Sequence, residues 1–392
     1  MLKSLPYWPR IYIQVGVSAF LLAALLMPIA IAVLRRMGVV DHVAEHKFHD
    51  RPVPRGGGIV IFIAFATAVV LPWYRDHPMI GVLIGAAICL LVGAADDIRG
   101  GIPAVWKFLT LLVVTCIMSF YGVKLNLFPN HPLIDLIITM LWIVGVTSAF
   151  NGIDNMDGLA SGVAAIVATM YLVIALQAHY AAGTETSLSW FGMLSAGLVG
   201  ANLGFLVYNF RPARIFMGDS GSFFLGFTLA ALGVMGEWTE TRVISCTIPV
   251  LILGVPIFDF AYILIARIIK GETRSLRAVI EHCATDHLSH RLVWIGFSQR
   301  KAVLFIYLIA AALGITGLLL RNSANMLDSV LAVAQGLAIV VIIIALMATA
   351  ERRHTAHIHR EVAKLRTEME NGRLGAAGKD GSGGAGEAER RA

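Results

Sequence analysis

Six groups of residues carry the side chains that phosphate chemistry uses, acids that hold a cation and bases that hold an anion. Asp96 and Asp97 stand together in VGAADDIRG, and Asn151, Asp154 and Asp157 lie in FNGIDNMDGLASG. Asp219 sits in RIFMGDSGSF, Asp259 in PIFDF, and His287 and His290 in TDHLSHRL. The sixth group is basic: Lys47, Arg51 and Arg55 in HKFHDRPVPRGGG run into three glycines. Closely spaced carboxylates and amides suit a hard cation such as Mg2+, which prefers oxygen and shares its shell with substrate phosphates. Arginine beside glycine-rich backbone at a helix start suits phosphate, because amide N–H groups approach it closely and a guanidinium grips two oxygens. The chain has no Walker loop, no Ser/His/Asp order and no haem motif.

Each group also has a plainer reading. Two acids ending a helix could simply meet water, although adjacent carboxylates at the negative end of a helix dipole are unfavourable without a cation nearby. Asn151 to Gly158 could be a polar turn, Gly218 to Gly221 a helix cap, the basic loop ordinary charge bias, and Asp259 a hydrogen-bonding residue within a bundle. His42, His46 and His49 imitate a zinc triad, but Pro52 and Pro54 break the helix that would align them. His354, His357 and His359 fall in a basic stretch with few acidic partners and read as a solvated helix.

The elements that position these groups are apolar. Of 392 residues, 57% are hydrophobic and only 14% charged, against roughly 25% charged in a soluble domain. Apolar runs of about 17–25 residues, the length that crosses hydrocarbon, recur from Ile11 to Met347. A transmembrane barrel is excluded, since its strands alternate polar and apolar whereas Ala338 to Met347 is apolar on every face. The chain therefore reads as an all-α, polytopic membrane protein with about eleven transmembrane helices. They lie near 11–34, 57–73, 79–95, 104–121, 133–150, 159–178, 191–208, 219–236, 243–266, 302–320 and 328–349. The first run is too long for a signal-peptide core and is followed by Arg35 and Arg36, so it is read as retained. Cys89, Cys116, Cys246 and Cys283 are widely spaced and imply neither disulfides nor zinc.

With the N-terminus outside and the C-terminus cytoplasmic, 25 of the 31 Lys and Arg residues fall on the inner side. The net charge of +6 is then a topology signal, and no nucleic-acid partner is implied. Residues 1–350 form one integral membrane domain and 351–392 a cytoplasmic basic tail. That tail reads as disordered from Ala376 onward, where it is rich in Gly, Ala and charge. The same orientation gathers Asp96, Asp97, Asn151, Asp154, Asp157 and Asp219 at inner helix ends, with Asp259 a turn or two deeper and His287 and His290 in the loop beyond. Ionisable groups beside hydrocarbon are costly and usually functional, so the inner face is the candidate site.

These motifs, in this order and on this side, resemble the polyprenyl-phosphate N-acetylhexosamine-1-phosphate transferases, the family that includes MraY and the WecA/TagO enzymes. The resemblance covers roughly residues 35 to 310 and rests on His46 to Gly57, Asp96-Asp97, Asn151 to Gly158, Met217 to Gly221, Pro256 to Asp259 and His287 to Leu292. It implies transfer of an N-acetylhexosamine-1-phosphate, most simply from UDP-GlcNAc, to undecaprenyl or another polyprenyl phosphate, with release of UMP. The cofactor implied is Mg2+, with Mn2+ as the substitute. The place implied is the bacterial inner membrane, with the active site on the cytoplasmic face. By resemblance Asp96 and Asp97 are the aspartate pair beside the lipid phosphate, and Asp219 is a metal ligand. Asn151 and Asp154 hold metal, diphosphate or nucleotide, with Asp157 in the same catalytic run. His287, His290 and Arg291 belong to a loop over the nucleotide-sugar diphosphate, and Lys47, Arg55 and Lys107 contact substrate phosphates.

Three departures bear on sugar choice more than on reaction class. Ser148 stands where an Asn is usual, Asn155 replaces a glycine, and Ser289 replaces a histidine-type position. The Asp-His-x-Ser-His-Arg form favours the WecA/TagO side over an MraY-type phospho-MurNAc-pentapeptide transferase. A secondary transporter is the rival of a different class; it predicts polar residues near mid-span and matching halves, neither of which the sequence offers. The oligomeric state, a homodimer included, is left open.

Overall fold

The structure, a computed structural model, describes residues 6–41, 52–72, 76–128, 130–182, 188–235, 242–271, 287–323 and 325–380. His42, His46, Lys47, His49 and Arg51 lie outside the described residues, as does most of the loop between Gly271 and His287.

Each apolar stretch forms helix. In chain order these are α1 (Tyr7–Arg36), α2 (Gly57–Val70), α3 (His77–Arg99), α4 (Ala104–Phe120), α5 (Pro132–Ile153), α6 (Leu159–Ala182) and α7 (Ser189–Asn209). After these come α8 (Gly218–Val234), α9 (Arg242–Ile252), α10 (Gly254–Lys270), α11 (Leu288–Trp294), α12 (Gln299–Arg321) and α13 (Met326–Asp380). Two short strands, β1 (Val40–Asp41) and β2 (Val53–Pro54), pair antiparallel between α1 and α2. Helices dominate because an apolar segment in lipid can satisfy its backbone only within itself.

The chain is a multi-pass membrane protein, but the expected count of about eleven spans is not what helix length and composition support. Among the described residues seven helices, α1, α3, α5, α6, α7, α12 and α13, are long and apolar enough to cross, and α2 and α4 are apolar but shorter. The expected single span over 243–266 is two helices, α9 and α10, bent by 87° at Leu253; taken as one span they make an eighth. The bend has a local cause. Pro256, in the first turn of α10, has no N–H to donate to Ile252, the last residue of α9, and its ring crowds that carbonyl, so the helix breaks there and restarts at Gly254. At the C-terminal end, the last span and the expected solvated helix over 350–369 are one helix, α13. It runs to Asp380, and the rest of the tail for which the sequence predicts disorder lies outside the described residues.

Two helices form the middle. α8 is buried along nearly its whole length, as is most of α7, while α1 buries Ala19, Ala23 and Met27 and exposes Val17, Leu21, Leu25 and Ile29 along the opposite stripe. An all-round apolar helix belongs in the centre, and an exposed apolar stripe belongs against lipid. α7 meets α1 through small residues at every fourth position, Gly192, Ala196, Gly200 and Gly204. A side chain at Gly200 would overlap the Gly16 carbonyl oxygen of α1. Close backbone approach of this kind drives helix association where lipid removes the hydrophobic incentive.

Gly200→Ala is expected to lower the thermal midpoint in detergent, by the equivalent of about 1–3 kcal/mol for overpacking. Gly145→Ala, which meets nothing within 4 Å, serves as the control with no loss. Equal midpoints for the two variants would show that the α1–α7 contact is not close-packed.

Candidate active site

The site is built around the start of α8. Backbone pairing fixes that start against the basic segment before α2: the Phe216 amide donates to the Pro54 carbonyl (2.8 Å), Gly57 N donates to Phe216 O (2.9 Å), and Gly58 N to Met217 O (3.0 Å). Arg55 is thereby held beside the Met217-Gly218-Asp219 turn, where Gly218 adopts a positive φ of 74°. A side chain at Gly218 would run into the Asp97 carboxylate. That carboxylate caps α8 from another helix: Oδ1 accepts from Asp219 N (2.9 Å) and Oδ2 from Ser220 N (3.0 Å). The first amides of a helix lack intrahelical partners and carry partial positive charge, so an acid there satisfies both needs. Gly93 on α3 and Gly58 on α2 make the approach possible, since a side chain at either would overlap the first turn of α8.

Two bases bind three acids at this point. Arg55 Nε lies 2.8 Å from Asp97 Oδ1 and its Nη2 2.5 Å from Asp219 Oδ1. Lys107 Nζ pairs with Asp219 Oδ2 and lies 3.2 Å from Asp96 Oδ1, which also accepts from Ile102 N (2.5 Å). Asp96 and the Asp97 side chain are buried, and burying an unpaired charge costs several kcal/mol. Burial alone would lower the Arg55 pKa, but Asp97, Asp219, Asp154 and Asp41 together hold it above its usual value. The five-residue cluster keeps one negative charge in excess.

The end of α5 supplies more oxygen. Asn151 Oδ1 accepts from Ser222 Oγ of α8 (2.6 Å). Asp154, directly after α5, keeps a little accessible surface but sits deep among protein atoms. Its pKa is pushed up to about 7, first by burial and then by Asp219, Asp97 and Asp157, with Arg55 acting in the opposite sense. Asp157 faces elsewhere: its Oδ2 accepts from Ala213 N (3.1 Å) and lies 3.9 Å from Arg211 Nη1. It holds the turn between α7 and α8. Buried Asn209 does the same from the other side, accepting from Gly158 N (2.9 Å) and donating to Ile215 O (2.8 Å).

α11 brings the histidines. His287, its N-cap residue, is buried, with Nδ1 2.7 Å from Asp259 Oδ2 on α10, and Leu288 N donates to Asp259 Oδ1 (2.8 Å). Ser289 Oγ donates to Asn155 Oδ1 (2.6 Å), so two of the departures noted in the sequence are partners. His290 is half-buried on the same helix. Arg291 Nη1 donates to Met347 O (3.1 Å) and to Glu351 (3.0 Å) on α13, and its guanidinium lies 5.1 Å from the Tyr262 ring.

The structure thus joins Asp96, Asp97, Asp219, Arg55 and Lys107 directly and sets Asn151, Asp154 and His287 beside them, while Asp157 and Arg291 serve neighbouring contacts. Sequence reasoning missed Asn209, Ser222 and Ile102; a buried Asn at the end of an apolar helix was the one available signal. Among the described residues no three acids, histidines or cysteines converge into a closed metal cage.

The profile described as glycosyl transferase family 4 matches residues 79–237, the span from α3 through α8. A Bacillus subtilis (strain 168) protein described as a probable undecaprenyl-phosphate N-acetylglucosaminyl 1-phosphate transferase is 35% identical over 316 residues, covering 78% of this chain and 84% of the relative. The chain belongs to glycosyl transferase family 4. The resemblance drawn from the motifs is thereby borne out. Other similar members are the decaprenyl-phosphate N-acetylglucosaminephosphotransferase of Mycobacterium tuberculosis H37Rv, 30% identical with 70% of this chain and 73% of the relative covered, and the undecaprenyl-phosphate alpha-N-acetylglucosaminyl 1-phosphate transferase of Escherichia coli K12, 26% identical with 78% and 83% covered.

In this family 4 member the raised Asp154 makes stability depend on pH. Its unfolded value is about 3.9, so the folded chain holds the proton more tightly; the contribution is full below about pH 4 and is lost as pH rises through about 7. Asp154→Asn is expected to raise the thermal midpoint in metal-free detergent at pH 8, with the gain shrinking toward pH 5. A gain of the same size at both pH values would remove ionised Asp154 as its source.

Proposed function

We propose that the chain transfers GlcNAc-1-phosphate from UDP-GlcNAc to a polyprenyl phosphate, giving polyprenyl-diphosphate-GlcNAc and UMP. The observation that carries this reading is the joining of Asp96, Asp97 and Asp219 to Arg55 and Lys107 at the start of α8, in a chain whose relatives are described as N-acetylglucosaminyl 1-phosphate transferases. The family's GlcNAc relatives favour that donor over a MurNAc-pentapeptide donor. The bias of Lys and Arg toward one side supports a cytoplasmic-facing site in the inner membrane of a bacterium.

An oxygen of the lipid phosphate attacks the β-phosphorus, the bond from that phosphorus to the bridging oxygen breaks, and UMP leaves with the bridging oxygen. The nucleophile needs little help, since the second pKa of such a phosphate is near 6. Arg55 and Lys107 bind the phosphate oxygens and offset charge gathered in the transition state. Asp97 acts by holding the first turn of α8, which leaves Asp96, beside Lys107, to border the lipid phosphate. Asp219 and Asn151, with Asp154 next to them, have the donor chemistry that Mg2+ takes, and the site's surplus negative charge suits a cation. A closed cage is not required, because Mg2+ keeps waters and uses one or two carboxylates together with substrate phosphates. Bound there, Mg2+ would supply electrostatic neutralisation of the diphosphate.

The test is UMP release by the purified protein with undecaprenyl phosphate, with and without Mg2+, and with UDP-GlcNAc, UDP-GalNAc or UDP-MurNAc-pentapeptide in separate reactions. Release is expected with UDP-GlcNAc only and to need both lipid and metal. Asp219→Asn is expected to lower it by about 100-fold or more. Near-normal turnover in that variant would sink the ligand role, and failure to release UMP with any of the three donors would sink the reading.

A further inference from the structure

Resting on that reading of the site, we propose that Asp259 is a positioning residue for the transfer: it fixes the tautomer of His287 and so presents Nε2 at the end of α5. Asp259 is 2% exposed and stands just past the bend at Leu253, so the break in the α9–α10 span aims a carboxylate at α11. Both of its oxygens are engaged there, Oδ2 with His287 Nδ1 at 2.7 Å and Oδ1 with Leu288 N at 2.8 Å. An ionised carboxylate can only accept, so the proton in the first contact belongs to Nδ1. In the neutral ring Nε2 is then an acceptor of fixed direction.

The far edge of the ring lies over Gly152. A Cβ at that residue would stand 2.9 Å from His287 Cε1 and 3.6 Å from Nε2, so glycine is what admits the imidazole between Asn151 and Asp154. A second tie keeps ring and loop in register, since Ser289 Oγ donates to Asn155 Oδ1 (2.6 Å) and Asn155 Nδ2 donates to Gly152 O (2.8 Å). His287 is therefore held from both sides, with its polarity set by Asp259 and its placement by the Ser289–Asn155 pair. The group it meets is a hydrogen-bond donor on the amino sugar, a hydroxyl or the N-acetyl N–H, since the ionised diphosphate can only accept.

A plain helix cap would account for the contact with Leu288 but not for the one with Nδ1, and Asp259→Asn separates the two. Asn caps a helix as well as Asp does, yet its amide would donate to Nδ1 and drive the ring proton to Nε2, reversing the polarity shown to substrate. The variant is expected to keep its thermal midpoint and its KM for the donor while kcat for UMP release falls by about 100-fold or more. Adding Asp259→Asn to His287→Ala should cost nothing further. Should Asp259→Asn fail to fold, His287→Gln, whose amide reaches the Nε2 position, is expected to retain more activity than His287→Asn, whose amide reaches only Nδ1. Nitrogen-15 NMR of the histidine-labelled full chain, with His287→Gln to assign the signal, reads the tautomer without turnover and should show Nδ1 protonated. Native kcat in Asp259→Asn, additive losses in the double variant, a reversed Gln/Asn order, or a proton on Nε2 alone would each overturn the proposal. The expected tautomer in a chain that releases no UMP would support the Asp259–His287 pairing and sink the transfer reading instead.

Discussion

The arrangement depends on one constraint: carboxylates at the end of an apolar bundle must be matched in charge and in hydrogen bonds, or the bundle end opens to water. Asp97 meets the constraint in two ways, accepting from the first amides of α8 and pairing with Arg55. A carboxylate is one of the few groups that can satisfy a helix N-terminus and a guanidinium together. Because the two come from different parts of the chain, this side chain ties α3, α8 and the segment before α2 into one unit. The glycines at 58 and 93 let the backbones approach closely enough for a side chain as short as Asp to reach.

The same pairing shapes what the site can accept. Arg55 and Lys107 neutralise Asp97, Asp219 and Asp96 without quite balancing them, and Asp154 adds a carboxyl whose ionisation near neutral pH is resisted by burial and by the acids around it. On the proposed reading, a diphosphate competes with Asp219 for both bases, and the oxygens it frees are those a divalent cation would use. Anion and cation would then enter together, since either alone worsens the charge imbalance that burial makes costly.

The acids were legible in the sequence because membrane topology sorts them. Once the Lys and Arg residues set a direction, Asp96, Asp97, Asn151, Asp154 and Asp219 fall at one set of helix ends, and helices joined by short loops must bundle. Pairings between distant segments were not legible. Nothing in the spacing of Asp259 and His287 says that they touch across 28 positions, nor does that of Arg291 point to Met347 and Glu351 of α13. Asp157 looks equal to Asp154 in the motif, yet it turns to Ala213 because the turn before α8 needs an acceptor. The bend at Leu253 was hidden differently. Gly254 and Pro256 are plain in the sequence, but an unbroken apolar run records length in hydrocarbon and not direction.

That bend also bears on the rival reading of the chain as a transporter. Broken helices are how transporters bring polar backbone to the membrane midplane, and α9–α10 is the one broken pair among the described residues. The contacts of α10 decide what the break is for. α10 carries Asp259 to α11 and to the end of α5, where Asn151 and Asp154 already face the start of α8. The break therefore serves the bundle end, where, on the proposed reading, a water-soluble nucleotide and a lipid phosphate meet. A reaction between partners of opposite solubility needs its charged groups at that boundary, with apolar flanks such as the exposed stripe of α1 facing the lipid.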